Sequence, residues 1–112
     1  MDTEEQQRLF KRTIQEMRRG NLVLAVLALL HERKYGYELL KEMNTLGFGL
    51  TQDTLYPMLR RLDEQKLIDS EWVVETTRPR KYYCINRNGE VLLENLKSEW
   101  KNQMERLERV IK

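Results

Sequence analysis

Thr51-Gln52-Asp53-Thr54-Leu55-Tyr56-Pro57-Met58-Leu59-Arg60-Arg61-Leu62 decides how the rest of this sequence is read. At helical spacing, Leu55, Met58, Leu59 and Leu62 share one face. Asp53, Pro57, Arg60, Arg61 and Glu64 fall opposite, with Thr54 and Tyr56 toward the flanks. The apolar face must pack on other helices. The opposite face is either an ordinary solvated surface carrying two arginines or one free to enter a DNA major groove, where Arg grips guanine or phosphate. Pro57 would be the sixth residue of a helix capped by Thr51, at a cost of about 3 kcal/mol. Either the helix starts later, or a local rule is broken at a functional position.

Toward the N-terminus, Leu50 and Leu55 occupy the staple positions around the Thr51 cap. Gly47-Phe48-Gly49 closes a preceding helix over 36–46, with Leu39, Met43 and Leu46 on its stripe. Leu22 to Glu32 is apolar nearly all round, as a central core helix is. Residues 4–18 place Leu9, Phe10, Ile14 and Met17 at helical spacing. Gly20-Asn21 either kinks one long helix here or separates two.

Toward the C-terminus, the third helix runs to about Lys66, and then the period changes. Ile68, Trp72 and Val74 alternate with Glu71, Val73 and Glu75, and residues 81–85 are aromatic and β-rich. Thr76-Thr77-Arg78-Pro79-Arg80 between them is turn-like, so the segment reads as a β-hairpin. Its tip, Arg78-Pro79-Arg80-Lys81, holds three cations in four residues. That suits phosphates or a narrow minor groove, or is simply a solvated turn. At least one of Tyr82 and Tyr83 is expected to pack beneath the hairpin rather than stack on bases. Asn86 can cap a last helix. Its seam of Leu93, Leu96, Trp100, Gln103, Leu107 and Val110 is spaced 3, 4, 3, 4, 3. So small a body cannot cover that seam, and a second copy of the chain is the simple partner. Trp100 is then either a packing residue of that interface or a platform for a flat aromatic ligand.

The expected fold is mainly α with a small β-hairpin: a winged helix-turn-helix over residues 1–87 and a long C-terminal dimerisation helix over 88–112, in one structural domain. The length of 112 residues agrees with one domain, and 40% hydrophobic residues exclude compositional disorder. The net charge of +2 decides little, but residues 76–87 carry Arg78, Arg80, Lys81 and Arg87 without an acid. Such a local basic loop suggests a directed contact with a polyanion. The longest apolar run, Leu22 to Leu30, has nine residues, against about 20 for a membrane span. That run starts late and follows Asp2, Glu4 and Glu5, so no cleaved leader is expected. Cys84 has no cysteine partner, which fits a reducing cytoplasm. One histidine and one cysteine cannot build a zinc cage. His31 has no neighbouring nucleophile, and Gly47 and Gly49 lack a following Lys-Ser/Thr, so neither catalysis nor a cofactor is expected.

Taken together, the segments Leu22 to Leu30, YGYEL (35–39), TLYPMLRRL (54–62), Leu67-Ile68 with Trp72, and RKYY (80–83) with Gly89 resemble the PadR family of bacterial transcriptional regulators over about residues 16–100. The short length is similar to the subfamily in which one C-terminal helix serves dimerisation. The resemblance implies a homodimeric repressor on a palindromic, two-fold operator. It implies that Gln52, Asp53, Thr54, Tyr56, Pro57, Arg60 and Arg61 lie near DNA, with Tyr35 and Tyr37 by the backbone. Arg78, Arg80 and Lys81 would form the wing contact. Some short members bind planar, often cationic drugs between interfacial tryptophans, which implies a ligand at Trp100. Met104, one turn on, stands where an acid would favour a cation, and a neutral planar ligand fits equally. The rival from another class is a winged-helix adaptor, whose basic hairpin meets an acidic protein and which reads no palindrome.

Overall fold

The structure, a computed structural model, describes residues 1–74 and 77–112. Helix α1 (Thr3–Leu29) is one continuous helix, so Gly20-Asn21 neither ends nor divides it. Asp2 caps it by accepting the Glu5 N–H at 2.8 Å. A glycine inside a helix costs only about 1 kcal/mol, and the burial of Leu22, Val26 and Leu27 just beyond it outweighs that.

Helix α2 (Gly36–Thr45) stops where a residue with positive φ is available. Gly47, at φ 94°, donates to the Asn44 carbonyl, and Phe48 donates to that of Met43. This closes the last turn as a Schellman motif. Leu46, expected on the buried stripe, is 60% exposed because it falls in this closing turn, past the face that packs. The Asn44 amide then holds the connection to α3 (Gln52–Glu64): it donates to the Leu50 carbonyl at 2.9 Å and accepts the Leu50 N–H at 2.6 Å. Thr51 is the N-cap residue, yet its side chain makes no cap bond; its carbonyl accepts from Thr54 and Leu55, at 3.1 Å each. The expected hydroxyl cap is thus replaced by the asparagine clamp. Pro57 does lie inside the helix. Helix α3 ends at Glu64, short of the expected Lys66, which adopts φ 63° in a second Schellman turn with Leu67 N–H on the Leu62 carbonyl.

Three antiparallel strands form a sheet in the order β1-β3-β2: β1 (Lys34–Tyr35), β2 (Ile68–Val74) and β3 (Pro79–Ile85). The hairpin was legible in sequence; β1 was not, because two residues carry no period and exist as a strand only by pairing with Tyr82 and Tyr83. Pro79 and Arg80, expected in the turn, begin β3. Pro79 takes the first position of the strand, where its missing N–H costs least. Glu75 and Thr76, read above as strand end and turn, lie outside the described residues. Only the base of the ribbon covers the core. Ile68 is 1% exposed, whereas Trp72 and Val74, in phase with it, are 67% and 69% exposed. The strand runs past the helices, and its alternation continues with nothing beneath it.

Helix α4 (Arg87–Ile111) is capped by Asn86, whose side chain accepts the Gly89 N–H at 3.0 Å. Two backbone bonds tie the ribbon to the helices: Ile85 N–H to the Leu30 carbonyl at 2.8 Å, and Asn86 N–H to that of Leu67 at 3.3 Å. A Cβ at Gly89 would lie 2.1 Å from the Leu67 oxygen, so α4 approaches the turn after α3 closely only because residue 89 is glycine.

One core cluster joins Leu22, Val26, Leu27 and Leu30 with Leu39, Met43, Leu55, Met58, Leu59, Leu62, Ile68, Ile85 and Leu93. Lys34 in β1 is buried outside this cluster, and its ammonium lies 3.2 Å from the Glu42 carboxylate. The seam expected along α4 divides. Leu93 joins the chain's own core and Leu96 packs on it, while Trp100, Leu107 and Val110 remain exposed. Gln103, between them, donates to Glu99 at 3.4 Å.

Two glycine substitutions should part in sign. Gly89→Ala must push α4 off the Leu67 carbonyl and should cost about 1–3 kcal/mol. Gly20→Ala meets nothing within 4 Å and should gain about 1 kcal/mol from helix propensity. Urea denaturation should therefore move the two midpoints in opposite directions; a neutral Gly89→Ala would mean that the approach of α4 is not needed.

Candidate nucleic-acid interface

The outer face of α3 follows from its inner one. With Leu55, Met58, Leu59 and Leu62 buried, Gln52, Asp53, Thr54, Pro57, Arg60 and Arg61 all stand exposed, and Tyr56 is half-buried at the edge. Pro57 on this face removes an N–H that would otherwise bond inside the helix, and its position leaves the Asp53 carbonyl without that partner.

Beside α3 a groove of about 280 Å³ is lined by Tyr35, Gly36, Tyr37, Tyr56, Trp72, Arg80, Lys81 and Tyr83. It brings together five of the residues that sequence pointed to, from α2, α3 and the ribbon: Tyr35, Tyr37, Tyr56, Arg80 and Lys81. Gly36 allows this convergence, since a Cβ there would sit 3.1 Å from the Tyr56 ring. Arg78 is exposed just before β3 and is not part of the groove. Trp72 is the residue that sequence reasoning missed. It is in phase with buried Ile68, and only the overhang of the ribbon turns it into a groove wall.

The cations here are held rather than loose. The Arg80 guanidinium lies 4.4 Å from the Tyr35 ring centroid, and that of Arg33 lies 4.5 Å from the Tyr82 centroid. The two rings meet edge-on at 5.5 Å, so arginine, tyrosine, tyrosine and arginine form one column across β1 and β3. Arg33 also pairs with Glu71 at 2.7 Å. Lys81 reaches the Asp63 carboxylate at 3.9 Å, and the Ser70 hydroxyl donates to the same oxygen at 2.6 Å. Asp63 thus anchors the ribbon to the end of α3. Tyr82 is buried and Tyr83 half-buried, on opposite faces of β3: Tyr83 packs against the helical core, and Tyr82 meets Tyr35 and Arg33. Burial pushes the Tyr83 phenol above its usual range; the Asp63 carboxylate and Tyr56 add to this, and Arg60 opposes it.

The arrangement offers charge-assisted donors on a convex helix and an aromatic groove beside it. Among the described residues no group of three or more His, Cys, Asp or Glu side chains is placed to hold a metal, and no helix is long and apolar enough to cross a membrane. A protruding helix paired with a basic ribbon is the outline of a winged-helix regulator of transcription.

Comparison with known proteins agrees. The description "Transcriptional regulator PadR-like family" matches residues 26–95. A crystal structure of a PadR family transcriptional regulator from Eggerthella lenta superposes with a TM-score of 0.94 at 33% identity, covering 98% of each chain. A PadR-like transcriptional regulator from Bacillus cereus gives 0.77 at 30% identity, covering 87% of this chain and 97% of the other. No curated protein matches. The chain belongs to the PadR-like family of transcriptional regulators and is a DNA-binding protein, not an enzyme.

Because Tyr83 keeps its proton to higher pH in the folded chain than in the unfolded one, the stability this contributes is complete below the ordinary tyrosine pKa of 10.0. It is lost as pH rises through the folded value. Ultraviolet titration should show a phenol step above the usual tyrosine range, and Tyr83→Phe should remove it. If the step persists in the variant, the late phenol is another tyrosine.

Proposed function

We propose that two copies of this chain bind a two-fold DNA operator and repress transcription by occupying it. The observation that carries this is the division of α3: its apolar stripe is wholly spent on the core, while Thr54, Pro57, Arg60 and Arg61 stand free on a convex face. In the major groove Arg60 would read guanine, and Asp53 could accept from a cytosine amino group. Gln52, Tyr56 and Arg61 would flank them. Tyr35 and Tyr37 would lie by the backbone, with Tyr35 also holding Arg80, while Arg78 and Lys81 extend the wing contact.

Dimerisation is supported by the apolar surface that one copy leaves open. Leu9, Phe10 and Met17 on α1 and Trp100, Leu107 and Val110 on α4 are all at least 42% exposed. Leu93 and Leu96 continue the same seam inward, and exposed Gln103 interrupts it between Trp100 and Leu107. Trp100 and half-buried Met104 sit on this surface, where a planar aromatic ligand could stack and release the operator. By linkage such a ligand must bind the operator complex less well than the free dimer. Quenching of tryptophan emission by planar aromatics, lost in Trp100→Ala, is the expected result; quenching unchanged in that variant places the ligand elsewhere.

Selection from a random DNA pool at near-physiological salt should yield an inverted repeat with half-sites about one helical turn apart. On that site Arg60→Ala should cost about 1–3 kcal/mol and relax preference at one position. Arg78→Ala should weaken all sequences alike and lower the salt slope by about one. Enrichment of no sequence, with binding that vanishes as salt rises, would favour the protein-adaptor reading instead.

A further inference from the structure

The face of α1 that enters the core continues in register along the half of the helix that leaves it. Arg8, Arg12, Gln15, Arg19, Leu22 and Val26 follow one another at spacings of 4, 3, 4, 3 and 4. Leu22 and Val26 are buried; the four residues before them are exposed. One stripe therefore changes from apolar to basic where the helix passes the edge of the body. Lys11 and Arg18 border it on one flank and Glu16 on the other, and Glu5 shares a surface pocket with Arg8, Leu9 and Arg12 at its outer end. Among the described residues none of these five cations has a carboxylate within 4.0 Å, unlike Arg33, Lys34 and Lys81. The stripe starts beside α3: Gln15, Arg18, Arg19 and Leu22 line one cleft of about 490 Å³ with Thr54, Pro57 and Arg61. The outer end of the DNA-reading face and the root of the basic overhang are thus two walls of the same cleft.

We propose that the overhanging half of α1 is a second DNA contact, in which Arg8, Arg12 and Arg19 grip backbone phosphates next to the segment read by α3. The inference rests on the DNA-binding reading above and extends it. From Arg8 to Arg19 the helix rises about 16 Å, a span of roughly five base pairs of duplex. The contact carries no base information, because the stripe offers only charge. It lengthens the footprint and steepens the dependence on salt.

The test compares the full-length parent with Arg8→Ala/Arg12→Ala/Arg19→Ala. Two duplexes are used: the core site selected by the parent, and the same core with arbitrary flanks of about ten base pairs on each side. The parent should bind the flanked duplex more tightly, and the variant should lose at least about tenfold on it. The variant's slope of log affinity against log salt should fall by about two to three, with its preference among core sequences unchanged. The triple lysine variant should behave as the parent. If the alanine variant keeps the parent's salt slope and footprint, the inference is wrong although the operator reading stands. If its loss of affinity follows a loss of dimer in sedimentation, the stripe clasps the second copy and the inference is likewise overturned. If the parent prefers no core sequence, the operator reading itself fails, and this inference with it.

Discussion

Burial of the stripe Leu55, Met58, Leu59 and Leu62, in one cluster with Val26, Leu27 and Leu30, is the constraint on which the rest of the molecule depends. Each of these side chains is worth about 2 kcal/mol when removed from water, and together they fix the rotation of α3 about its own axis. Once that rotation is set, Thr54, Pro57, Arg60 and Arg61 face away from the core, with Thr54, Pro57 and Arg61 on the cleft beside α1. A turn of α3 by one residue would bury an arginine and expose a leucine, which couples recognition to the core. The Asn44 clamp on Leu50 and the two left-handed turns at Gly47 and Lys66 hold the ends of this unit, so the helix can neither slide nor unwind without breaking them.

The ribbon is organised by a different force. Beyond Ile68 it has no core to rest on, and its position is kept by cations lying on aromatic rings and by the Asp63 carboxylate. Such contacts are worth about 0.5–1 kcal/mol each at exposed sites. They are strong enough to aim Arg80 and Lys81 toward one groove and weak enough for a polyanion to compete for them. The cations of the wing are therefore partnered and yet remain open to exchange.

Both long helices are longer than one copy of the body can cover. α1 carries Leu9, Phe10 and Met17 outside, and α4 carries Trp100, Leu107 and Val110. On α1 another side of the overhang is basic, so the same extension presents an apolar surface on one side and a charged one on another. An amphipathic helix that leaves its own core must find partners for both faces.

The amino-acid sequence by itself determined the order of helices, the hairpin, the core stripe of α3 and the cap at Asn86. Helical and strand periods, and glycines after helices, are local signals that survive without a partner in view. It also marked Arg60, Arg61, Arg78, Arg80 and Lys81, because charge and spacing are written in the chain. The tertiary structure alone decided the matters that depend on an element finding a neighbour. Two residues became β1 only by pairing with β3, and Trp72 became a groove wall because the ribbon outruns the helices. Leu93 left the seam for the core because Gly89 let α4 settle onto the Leu67 carbonyl. Leu46 was left in solvent by the turn that follows it. In each case the local pattern was real, and what it packed against was set by residues distant in sequence, whose approach no local period encodes.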